Sequence, residues 1–175
     1  MKRYYSFFLI LFTFLSFGSQ ASSSELSNIE KSFAQLYQST DFNSRITAII
    51  LTAEFKQSAL NKSLKKLLKT AQGLDRVVIL YALARCESDT YIEPFIQTLP
   101  ETELEIKLLL DIESPRQSFF AAPSFRILTY LGSLALYHDN ALKKLKNIDR
   151  FADGWQAESL GVLLEAAQKQ HLNKP

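Results

Sequence analysis

Cysteine, histidine, glycine and proline are all scarce in this 175-residue chain, which holds one Cys, two His, five Gly and five Pro. Each scarcity excludes something. With only Cys86 there is no intramolecular disulfide, so the fold is held by its core. His138 and His171 stand 33 positions apart, Asp139 is the sole adjacent ligand type, and there is no CxxC or HExxH spacing, so no metal site is expected. The run "DNALKKLKNID" has acids, but not at calcium-loop spacing. Nucleophile elbows, phosphate-cradling glycine loops and dinucleotide fingerprints are missing, and no cofactor is implied. No segment sustains period-two alternation, which argues against strands.

The first residues, "MKRYYSFFLILFTFLSFGSQASSS", have the layout of a secretory signal peptide. Lys2 and Arg3 precede an apolar run from Phe7 to Phe17, and Ser19 and Ala21 supply small residues for cleavage. The run is short for a membrane span, and no Cys follows it to accept a lipid. The expected organisation is a signal peptide at 1–21 and one domain at 22–175, exported to the periplasm and soluble there. Removing Lys2 and Arg3 from the 20 basic residues leaves 18, against 18 acidic ones. A neutral mature chain gives no electrostatic case for nucleic-acid binding.

What is present is helical periodicity. Apolar spacing from Leu26 onward predicts helices near 24–38, 43–57, 59–71, 74–87, 89–99, 101–112, 124–138, 140–147 and 154–171, an all-α fold. Asp75, Asp89 and Ser124 stand where N-caps are expected, Ser27 with Glu30 has capping-box spacing, and Gly73 marks a helix end.

Residues 44–69 align without gaps on residues 75–100 at an offset of 31. Arg45 falls on Arg76, Ala48 on Ile79, Ile49 on Leu80, Ala53 on Ala84, Leu60 on Tyr91, Leu64 on Phe95 and Leu68 on Leu99. In each copy an apolar helix, a polar turn and a second helix follow one another. "DRVVILYALARCESDTYIEPFIQTL" resembles a HEAT-type repeat, and "SFRILTYLGSLALYHDNALKKLKNI" continues the pattern with Arg126 in the early basic position. The period is shorter than in that family, the glycine before the turn is missing and the middle section is irregular; armadillo- and tetratricopeptide-type arrays stay open, the latter matching less well. The resemblance implies stacked antiparallel helix pairs in an α–α superhelix, a fold whose output is surface.

Candidate functional residues are few. Cys86 lies toward the C-terminal end of its helix beside Glu87, where the dipole and the neighbouring charge both disfavour a thiolate, so it is read as structural. Glu101, Glu103 and Glu105 are read as a first turn that complements the helix dipole. Lys62, Lys65, Lys66 and Lys69 share one helix face opposite Leu60, Leu64, Leu67 and Leu68, a surface for an acidic partner or an anionic membrane. The segment 114–125, "SPRQSFFAAPSF", breaks the helical pattern and offers Arg116, Phe119 and Phe120 as binding anchors. These features together predict a non-catalytic protein-binding module with a protein partner. An immunity protein that neutralises a periplasm-acting toxin, such as a secreted cell-wall hydrolase, is the alternative, and a Cys86-dependent enzyme a remote one.

Overall fold

The computed structural model describes residues 23–54, 58–87, 89–112 and 122–173. Those residues form nine α-helices: α1 Ser23–Leu36, α2 Phe42–Glu54, α3 Asn61–Leu68, α4 Gly73–Cys86, α5 Ile92–Thr98, α6 Glu103–Leu110, α7 Pro123–Ala135, α8 Asp139–Asp149 and α9 Gly154–Leu172. Two 3₁₀ turns, Ser58–Leu60 and Asp89–Tyr91, precede α3 and α5. No strand occurs among the described residues, and none of their helices is long and apolar enough to cross a membrane. The proposed signal peptide and the segment carrying Arg116, Phe119 and Phe120 lie outside the described residues.

Helix α4 is the hub. Its middle is apolar on every side, and seven consecutive residues, Val77 to Leu83, are buried. A stretch without a polar face must be covered all round, and α2, α3 and α5 pack against the helix. The outer helices carry one apolar stripe each: α3 buries Asn61 and Leu64, and α8 buries Ala141, Leu145 and Ile148 at i, i+4 and i+7. Helices α7, α8 and α9 pack on one another as a second cluster. At Gly132 the helices α7 and α9 meet so closely that an added Cβ would stand 2.8 Å from Leu163. One continuous apolar core runs through both clusters, from Tyr37 to Ala167.

The α-helix, 3₁₀ turn, α-helix order of residues 42–68 recurs in residues 73–98 at the offset of 31: Phe42 corresponds to Gly73, and Ser58 to Asp89. Helix α4 packs against α2, α3 and α5.

Most of the predicted caps do different work. Helix α4 begins at Gly73, whose φ of +52° suits glycine, and its cap is Gln72. Asp75 therefore sits inside the first turn, where it binds Arg45. Asp89 opens a 3₁₀ turn. Pro123 occupies the first turn of α7 with Ala122 as its cap, which leaves the Ser124 hydroxyl buried inside the helix. Ser27 falls in the interior of α1. The side chains that do cap are Asp41, accepting from the Ser44 amide at 2.8 Å, and Thr102, accepting from the Glu105 amide at 3.4 Å. The Thr102 hydroxyl in turn donates to the Glu105 carboxylate at 2.8 Å.

Candidate functional site

Two clefts open at opposite ends of α4. The larger, about 350 Å³, is lined by Tyr37, Arg45, Ile49, Leu67, Asp75 and Ile79, among others. Its charges are matched one to one. Arg45 donates to both oxygens of Asp75, at 3.1 and 2.9 Å, and its third nitrogen donates to the Ser39 carbonyl at 2.7 Å. Tyr37 is buried against Thr52, with which it shares a hydrogen bond, and burial pushes its phenol up to about 12.

The smaller cleft, about 190 Å³, lies at the junction of the two helix clusters. Glu54 ends α2, Tyr81 and Arg85 come from α4, and Phe125, Arg126, Thr129, Tyr130 and Ser133 come from α7. Helix geometry explains the convergence. Tyr81 and Arg85 are four apart, as are Arg126 and Tyr130, so each helix turns one Arg and one Tyr to the same side. The aromatic floor consists of Tyr81, Phe95 and Tyr130, with Tyr81 and Tyr130 edge-on at 5.5 Å and Phe95 5.6 Å from Tyr130.

Glu54 is the pivot. Its Oε1 accepts from the Tyr81 hydroxyl at 2.6 Å and its Oε2 accepts from Arg126 Nη1 at 3.2 Å. Arg85 Nη2 stands 4.0 Å from that same Oε2, beyond hydrogen-bonding distance. Its guanidinium lies over the Tyr130 ring, 5.4 Å from the centroid, and its Nε is buried with no hydrogen-bond partner among the described residues. Two guanidiniums thus face one carboxylate. Burial raises the Tyr81 phenol well above its ordinary value, and the Glu54 carboxylate adds to the rise, so Tyr81 stays a donor. Burial also raises Tyr130, with Arg85 opposing. The Thr129 and Ser133 hydroxyls donate back to the α7 carbonyls of Phe125 and Tyr130, so the guanidiniums are the strong donors here.

The lysine face is exposed at Lys62, Lys65, Lys66 and Lys69. Lys65 is already engaged, paired with Glu87 and lying 5.9 Å from the Tyr91 ring centroid. Glu87 raises its pKa. The stripe is therefore not four free charges. Cys86 Sγ donates to the Thr52 carbonyl at 3.4 Å and so ties the end of α4 to α2. His171 contacts the Ala135 carbonyl at 2.8 Å and Asp139 at 3.1 Å. Among the described residues no group of three His, Cys, Asp or Glu is placed to hold a metal ion.

Sequence reading noticed Arg126 only as a repeat position and missed Glu54, Tyr81, Arg85 and Tyr130. The available signal was a charged residue on an otherwise buried helix, as Glu54 after "IILTA" and Arg85 within "YALARC" both are. Such a charge needs a partner or a purpose. No protein-family model, curated protein or solved structure matches this chain, and its function is read from the site.

Proposed function

We propose that the chain is an exported, HEAT-like helical-repeat protein acting as a non-catalytic protein-binding module, with the junction cleft as its recognition element. One observation carries this reading: Arg85, Arg126, Phe125 and Tyr130, from helices far apart in sequence, converge on an open cleft with cationic donors in excess. Arginine and large aromatics are the residue types that dominate binding hot spots. Clefts where two packed units meet are common binding places. The recurrence of the α–3₁₀–α order at an offset of 31 supports the repeat organisation. The use of the Cys86 thiol to bridge α4 and α2 supports a structural cysteine.

Purification of the exported protein from its own cells under gentle conditions tests the proposal. One partner should co-elute at a constant ratio, remain with Cys86→Ser, and be lost with a double Phe125→Ala, Arg126→Gln variant that still melts cooperatively. Intact mass of the same sample should place the first residue at Ser22. A partner retained equally by the double variant would remove the cleft from the recognition surface, and a mass that includes residues 1–21 would overturn export with cleavage.

A further inference from the structure

We infer that the junction cleft is a carboxylate-binding site, in which Arg85 and Arg126 grip an acidic side chain of the partner while Phe125 and Tyr130 flank its methylene stem. The inference rests on the protein-binding reading and names the chemistry of its ligand. Charge selects the class. Arg85 and Arg126 both point at Glu54 Oε2, at 4.0 and 3.2 Å, so among the described residues lining the cleft two positive charges face one negative charge. A singly charged carboxylate balances them. A doubly charged phosphate would bring a second negative charge beside Glu54, so it fits less well.

Geometry selects the same ligand. Glu54 is held at both oxygens, by Tyr81 at 2.6 Å and by Arg126 at 3.2 Å, so the protein's own carboxylate is fixed on one side of the guanidiniums. Arg85 lines the cleft with its side chain 32% exposed, so an incoming acceptor reaches the end of its guanidinium, while its Nε is buried and takes no part. Its Nη2 is beyond hydrogen-bonding distance of Glu54. The planar fork of a guanidinium suits a carboxylate through two parallel N–H donors. Tyr130, stacked against Arg85 at 5.4 Å, holds that fork in place.

The test follows the arginine Nε–H signals of the ¹⁵N-labelled exported protein, assigned by their loss in Arg85→Gln and Arg126→Gln. The probes are glutamate blocked at both backbone ends, the equally blocked glutamine, and inorganic phosphate. Blocked glutamate should shift the Arg85 and Arg126 signals saturably, glutamine should not, and phosphate should bind more weakly. In Arg85→Gln the apparent Kd for blocked glutamate should rise at least tenfold; if that variant fails to fold, Arg126→Gln gives the same reading from the other side. Equal shifts with glutamate and glutamine, no saturation, or tighter phosphate binding would overturn the assignment. A flat glutamate titration beside a partner that still co-elutes overturns the carboxylate site alone and leaves the binding module standing.

Discussion

At the N-terminal end of α4, Arg45 meets Asp75 one to one; at its C-terminal end, Arg85 and Arg126 share Glu54. Both places are clefts between helices, and the first is the larger, about 350 Å³ against 190 Å³. Arg45 spends its donors on two carboxylate oxygens and a backbone carbonyl, so that cleft is a fastener between α2 and α4. Among the described residues of the second cleft two guanidiniums face one carboxylate, and the proposal is that a partner engages this surplus. The balance of donors and acceptors distinguishes a structural cleft from a recognition cleft.

The largest expected effect comes from the floor that the second cleft shares with the core. Tyr81 is 1% exposed and packs on Phe95 and Tyr130, so Tyr81→Ala should cost about 3–5 kcal/mol in denaturant unfolding. A loss below about 1 kcal/mol would mean that the aromatic floor is not core. Next comes the direct comparison of the arginines. Arg45→Gln should lower stability by about 1–3 kcal/mol, because Asp75 loses both of its charged donors. Arg126→Gln, at a side chain 41% exposed, should stay within about 1 kcal/mol while partner retention falls. Equal destabilisation by the two substitutions would erase the distinction between the clefts.

Cys86→Ser should cost about 1 kcal/mol or less, since the hydroxyl can still donate toward the Thr52 carbonyl. Thr52 also bonds Tyr37 in the first cleft, so this variant reports whether the two ends of α4 are coupled through α2. A change in partner retention with unchanged melting would reveal a role for the thiol itself.

The smallest effect is a pH slope. Hydrogen bonds from Ser44 hold the Asp41 carboxyl below its ordinary range, and Lys144 does the same for Glu101. A lowered folded-state value means these groups stabilise the fold above the ordinary carboxylate range and lose that contribution as pH falls through and below it. Melting temperature should therefore drop as pH falls below about 4, the ordinary carboxylate value, with a shallower slope in Glu101→Gln. Asp41 anchors the start of α2 beside the first cleft, whereas Lys144 ties α8 to Glu101 and to the Leu99 carbonyl across the two clusters. An unchanged slope in Glu101→Gln would place the acid-sensitive anchor at Asp41.

Much of the fold was readable from local pattern. Apolar spacing predicted helices near 74–87 and 140–147, and the structure forms α4 at Gly73–Cys86 and α8 at Asp139–Asp149. The offset of 31 recurred in both helices and both 3₁₀ turns. The exposure of Lys62, Lys66 and Lys69 followed from the same 3.6-residue period. Caps were read less well, because each depends on one competing bond. Asp75 was taken by Arg45, and Pro123 displaced Ser124 into the helix. Lys65 belonged to the lysine stripe in sequence and to Glu87, 22 residues away, in the structure.

The sequence by itself determined the helical class, the burial order of the helices and the spacing that turns an Arg and a Tyr to one side of α4 and of α7. These properties depend on residues within about two turns of one another, which helical period alone relates. Only the tertiary structure decided that Glu54 would stand between Arg85 and Arg126, because Glu54 and Arg126 are 72 residues apart and meet only where the two clusters pack. Among the described residues that meeting leaves two guanidiniums facing one carboxylate, where the other cleft has one facing one, a difference created by packing geometry and invisible to any local pattern.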